Sequence, residues 1–183
     1  LAGRLTSRIA SGNVAMENCT GEVVFSTASG NIKVKNSSGK AKFSTASGNI
    51  QLIKVSGELK ASTASGDIDA QGLNGAIKLS AASGDIELED SAGKFRVSVA
   101  SGEIAASGIE LKDTSSFSSA SGDVEVILAK SAAYDLKVST ASGDAILDYN
   151  NHTVKGYFEV SASKEDGRII IPFKADQIEE YSR

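Results

Sequence analysis

The sequence predicts an all-β fold: a single-domain parallel β-solenoid with about 18 residues per coil, two short strands per coil and a C-terminal β cap. Three observations predict it. Eight Ala-Ser-Gly triplets set a period, with their glycines at Gly12, Gly30, Gly48, Gly66, Gly84, Gly102, Gly122 and Gly143; the first six are spaced by 18 residues and the last two gaps are 20 and 21. Between these glycines polar and apolar residues alternate, which is the period of a strand with one buried face. No helical period intervenes and the connections are too short for crossover helices, so successive coils must stack as parallel strands about 4.8 Å apart.

The elements follow in order from one repeat. Gly30-Asn31-Ile32-Lys33-Val34-Lys35 alternates as a first strand, and a second glycine follows nine residues on at Gly39. Lys40-Ala41-Lys42-Phe43-Ser44-Thr45 then alternates as a second strand before the next Ala-Ser-Gly. The half-step glycine recurs at Gly21, Gly57, Gly75 and Gly93, so a coil is expected to turn two tight corners at glycines, whose backbone freedom such corners use. Eight or nine such coils give a rod roughly 40 Å long, expected to be right-handed.

Stacking turns positions one period apart into columns. Val14, Ile32, Ile50, Ile68, Ile86, Ile104 and Val124 form an inward column of β-branched residues. Phe25, Phe43, Ala61, Leu79, Val97, Phe117 and Val138 form the facing one, with Phe25 expected to stack on Phe43. After Gly102 the register loosens, and extra residues are expected near Ser107-Gly108 and Ala132-Ala133. Residues 1–149 are assigned to the solenoid and 150–183 to capping strands of the same domain. In that cap Tyr157-Phe158-Glu159-Val160 and Arg168-Ile169-Ile170-Ile171 flank a Glu165-Asp166-Gly167 turn like a hairpin, and Pro172 belongs on an edge.

Composition narrows function. The net charge of −4 argues against a general nucleic-acid binder. Cys19 is the only cysteine, which excludes an internal disulfide or a cysteine metal cluster. No apolar run reaches the roughly 20 residues of a membrane span, and no signal peptide is visible. The chain opens at Gly3-Arg4-Leu5 already in the repeat register, as a trimmed piece of a longer protein would.

Chemistry is expected in columns rather than at single residues. The residue after each Ala-Ser-Gly gives Asn13, Asn31 and Asn49, then an acidic ladder of Asp67, Asp85, Glu103, Asp123 and Asp144. Stacked carboxylates repel one another and would welcome a cation, yet Asn and Asp after Gly also serve turns and cap backbone groups, which is the favoured reading. The Gly-Gly-x-Gly-x-Asp turn of calcium-binding repeats is missing, so neither metal nor cofactor is expected. On the second strand Lys42, Lys60, Lys78 and Arg96, joined later by Lys137, form a stripe able to attract phosphate or carboxylate groups. Against that stands the use of outer lysines for solubility and against sheet association. Glu22, Lys40 and Glu58 alternate in sign as cross-strand pairing requires. Ser26, Ser44, Ser62, Ser80, Ser98, Ser118 and Ser139 make a hydroxyl column. His152 is the only histidine and has no Ser-His-Asp or Cys-His arrangement around it, so no catalytic residues are assigned and no enzyme is expected.

The Ser-Thr-Ala-Ser-Gly-Asn/Asp-Ile element, at Ser26 to Ile32, Ser44 to Ile50 and Ser62 to Ile68, resembles the bacterial adhesin-like family known as domain of unknown function 4097. The resemblance covers about residues 3–148 and implies a single-domain β-helix associated with bacterial cell envelopes. It implies no catalytic or ligand residues. The expected function is therefore a non-catalytic, envelope-associated or extracellular binding module, with the cytoplasmic face of the membrane as the other setting. It would present a repetitive polar face to an envelope polymer, a lipid surface or a protein partner. The alternative is a self-assembling scaffold resembling bactofilins, and the oligomeric state stays open.

Overall fold

The computed structural model describes residues 3–153, 155–162 and 167–171, and they form a parallel β-solenoid without a helix. Sixteen strands, β1 to β16, build two ladders. The first ladder stacks β2 (Val14–Glu17), the opening halves of β4 (Ile32–Ser47) and β5 (Ile50–Ser65), then β6 (Ile68–Gln71) and β8 (Ile86–Glu89). It continues through β10 (Ile104–Leu111), β12 (Val124–Leu128), β14 (Ala145–Asp148) and β16 (Ile169–Ile170). The second ladder stacks β1 (Arg4–Ser11), β3 (Thr20–Ser29), the closing halves of β4 and β5, and β7 (Asn74–Ser83). It runs on through β9 (Ala92–Ser101), β11 (Ser115–Ser121), β13 (Leu136–Thr140) and β15 (Phe158–Ser161). Among the described residues each ladder thus has nine rungs.

Both ladders turn their alternate residues into one core. Ile32, Ile50, Ile68, Ile86, Ile104 and Val124 are at most 1% exposed, and Phe43, Leu79, Val97, Phe117 and Val138 face them from the second ladder, equally buried. Each such side chain contributes about 1.5–3 kcal/mol of burial. Phe25 pairs in register with Phe43 but is only half-buried; among the described residues the ring contact lies instead between Phe95 and Phe117, 5.9 Å apart and tilted by 31°. These two rings occupy different inward columns, so they meet diagonally where Ser115 leaves room above Phe95.

The corners differ from expectation. The half-step glycines lie within the second-ladder strands, and the chain turns three residues earlier, at Asn18, Asn36, Lys54, Gly72, Asp90 and Gly108, with φ between 46° and 67°. Left-handed backbone suits Asn, Asp and Gly, which explains why this column collects them. At the Ala-Ser-Gly corner the demand is stricter. Gly48 has φ 145°, and a Cβ there would lie 2.2 Å from the carbonyl oxygen of Gly30 in the coil before. The same carbonyl accepts a hydrogen bond from the buried Thr45 Oγ1 at 3.1 Å, and Thr63 does likewise for Gly48 at 3.1 Å. These inward hydroxyls satisfy carbonyls that the corner would otherwise strand.

Of the two expected irregularities, the first is relocated and the second falls where expected. Gly108 keeps the left-handed corner in line with Asp90, and the first extra residues fall at Lys112-Asp113-Thr114, between the Leu111↔Gly93 and Ser116↔Arg96 pairings. The second insertion falls in the 129–135 loop, which includes Ala132-Ala133. At the C-terminal end the hairpin is not formed. β15 adds in parallel to β13 and β16 adds in parallel to β14, each extending an open end of its ladder. They make a ninth coil rather than a pair. Glu165, Asp166, Pro172 and the stretch to residue 183 lie outside the described residues.

Candidate functional site

Columns of outward side chains sit on two different sides of the solenoid, one for each ladder. On the second ladder Lys42, Lys60, Lys78 and Arg96 pair one above the next, with Ser116 and then Lys137 completing the column. All five cations are exposed. Among the described residues Lys42, Lys60, Lys78 and Arg96 form no ion pair, whereas Lys137 reaches Glu159 on β15. The uninterrupted part of the stripe is therefore the four residues from Lys42 to Arg96, one cation per coil.

The flanking columns differ in character. Toward the half-step glycines lie Arg4, Glu22, Lys40 and Glu58, in which Lys40 Nζ meets Glu58 at 3.0 Å and Arg4 meets Glu22 at 3.6 Å. The hydrogen bond from Lys40 holds the Glu58 carboxyl below the usual carboxylate range, and its partner raises the Lys40 ammonium in turn. These charges neutralise each other, as alternating signs require. On the other flank the Ser44, Ser62, Ser80 and Ser98 hydroxyls make no hydrogen bonds to protein groups among the described residues. They stand beside the cations with donors and acceptors to offer. Where Ser116 interrupts the stripe, a shallow depression of about 330 Å³ opens between Arg96, Ser116, Asp135, Lys137 and Tyr157.

The acidic ladder is used differently. Asn13, Asn31 and Asn49 each accept the backbone N–H of the residue one coil on, at 2.9, 2.9 and 3.0 Å. Asp67 and Asp85 continue the chain by accepting from Asp85 and Glu103 at 3.0 and 2.8 Å, and Asp123 accepts from Asp144 at 2.7 Å. Asp67, Asp85 and Asp123 thereby each commit one carboxylate oxygen to the scaffold, whereas Glu103 makes no such bond among the described residues. Asp144 accepts the Arg168 backbone N–H at 2.7 Å and its guanidinium at 2.9 Å. The backbone bond first, and the guanidinium second, hold its carboxyl below the ordinary value. Among the described residues no three His, Cys, Asp or Glu side chains gather to hold a metal ion.

The isolated residues sit at corners. Cys19 is half-buried beside Asn18, and His152 lies in the turn after β14, where its N–H bonds the Tyr149 carbonyl at 2.8 Å. Sequence reasoning missed the left-handed corner column and the inter-coil role of the Asn and Asp side chains. The enrichment of Asn, Asp and Gly at positions 18, 36, 72, 90 and 108 was the available signal for the first.

In-register columns of like side chains on a stack of parallel coils define a β-solenoid repeat protein. A family model described as Toastrack DUF4097 matches residues 4–171, and the chain belongs to that family. Neither the curated proteins nor the solved structures contain a match.

Proposed function

We propose that this solenoid is a non-catalytic binding module of the bacterial cell envelope or extracellular space, and that its second-ladder face engages an anionic surface or polymer. The observation that carries this reading is the run Lys42, Lys60, Lys78 and Arg96: exposed, in register at one cation per coil, and without carboxylate partners among the described residues. A repeating array of cations spaced about 4.8 Å apart matches a repeating array of phosphates or carboxylates better than a single small ligand. Each lysine near an anionic surface adds about 1 kcal/mol, so four together give useful affinity where one would not. The adjacent free serine hydroxyls supply hydrogen bonds to the same partner. Co-sedimentation with anionic vesicles and with bacterial wall fragments tests the reading. Wild-type protein is expected to bind one of these in a salt-sensitive way, and the variant Lys42→Glu, Lys60→Glu, Lys78→Glu, Arg96→Glu to bind neither. Equal binding by the two proteins would reject this face.

A further inference from the structure

The two ladders carry opposite charge over the same coils. On the first ladder β6, β8, β12, β14 and the part of β10 before its Gly108 corner hold five carboxylates and no Lys or Arg; Glu110, past that corner, pairs with Ala92 on the second ladder and with Lys112 and Lys130. On the second, β7, β9, β11 and β13 hold four cations and no carboxylate. The outward carboxylates of Asp69, Glu87 and Glu125 are not committed to capping, unlike Asp67 or Asp123. Both arrays repeat at the strand spacing of about 4.8 Å, so rows of one face can meet rows of the other coil for coil.

We propose that a second copy of this chain docks its first-ladder face on the second-ladder face of the first, side by side. The complementary charge sets which faces meet, and the shared spacing sets the register. Such a contact is head-to-tail and does not close, so it grows into a lateral row rather than stopping at a dimer. Four-residue first-ladder strands stacked over these five coils make a face about 13 Å wide and about 24 Å long, or ~300 Å² per partner. That is below the ~800 Å² of a standard stable interface, so association is weak and governed by salt. The pairing does not depend on any anionic polymer being the partner, although it would compete with one for the lysines.

Sedimentation velocity of the wild-type chain tests it directly. At about 0.01 M salt, where charges act over about 30 Å, the average mass should rise with protein concentration; at about 1 M, where they act over about 3 Å, it should stay monomeric. Lys78→Glu, Arg96→Glu, Lys137→Glu in one variant leaves two acidic faces over these coils, and Asp69→Lys, Glu87→Lys, Glu125→Lys in another leaves two basic ones. Each alone should associate about tenfold more weakly than wild type, or less, and mixing the two should restore association. A monomeric wild type at low salt, or a folded pair of variants that stays apart on mixing, would overturn the proposal.

Discussion

Replacing Gly66 by Ala probes the corner on which the stacking depends. Gly66 has φ 134°, and a Cβ there would lie 2.3 Å from the Gly48 carbonyl oxygen and 2.7 Å from its carbon. Placing a non-glycine residue in this backbone region costs about 1–3 kcal/mol. Relieving the overlap requires the two coils to separate locally by about 1 Å, which weakens the flanking ladder bonds Gly48 N to Ser65 O and Ile50 N to Asp67 O, both 2.9 Å. At about 1 kcal/mol per bond the total is about 3–5 kcal/mol. With about 2–4 °C per kcal/mol for a chain of this size, melting should fall by roughly 6–20 °C. Gly72→Asn is the matched control. Gly72 also sits in a central coil, but its φ of 66° lies in the left-handed region that Asn36 (48°) and Asp90 (46°) adopt in the same column, and a Cβ there would meet nothing closer than the Lys54 Cγ at 3.4 Å. Its cost should stay within about 1 kcal/mol. Thermal unfolding followed by far-ultraviolet circular dichroism compares the two. Equal effects would refute the idea that close coil approach, rather than backbone conformation alone, makes the Ala-Ser-Gly glycine obligatory.

Thr63→Val removes the hydroxyl that satisfies the Gly48 carbonyl while keeping the shape, and Val99 already occupies the equivalent place two coils on. It should cost about 1 kcal/mol in denaturant unfolding; a loss above about 3 kcal/mol would mean the hydroxyl does more than close one bond. The ninth coil should be acid-sensitive. Because Asp144 has a depressed value in the folded state, the stability it gives is present above its unfolded value of about 3.9 and is lost as pH falls through the folded one. Amide protection at Ile169–Ile170 should therefore drop in acid before that of β5 does, and Asp144→Asn should remove this early acid step.

The period of 18 made the fold legible, because each column could be checked for consistency at several positions at once. That redundancy identified the Ile column, the lysine stripe and the sign-alternating Glu22, Lys40, Glu58 column. What escaped were features that a column does not announce. The left-handed corner includes Lys54, which hides the Asn, Asp and Gly pattern, and Gly108 looked like an insertion although it only keeps that corner. The pairing of Lys137 with Glu159 escaped because an apparent hairpin concealed that 158–161 add another parallel rung. The Asn and Asp ladder was read as turn chemistry, yet its side chains reach across coils, a contact 18 residues away in sequence.

Binding to an anionic surface should depend on where the cations stand and not on how many there are. A relocation variant separates these. Lys42→Gln, Lys60→Gln and Lys78→Gln remove three cations from the second ladder, and Ala15→Lys, Gln51→Lys and Ala105→Lys restore them on the outward column of the first, leaving net charge unchanged. Titration of whichever anionic vesicles or wall fragments the wild type binds is the direct measurement. Loss of binding by at least about tenfold is expected, from about three lysines at roughly 1 kcal/mol each. Unchanged affinity would contradict the assignment of the second-ladder face as the binding surface.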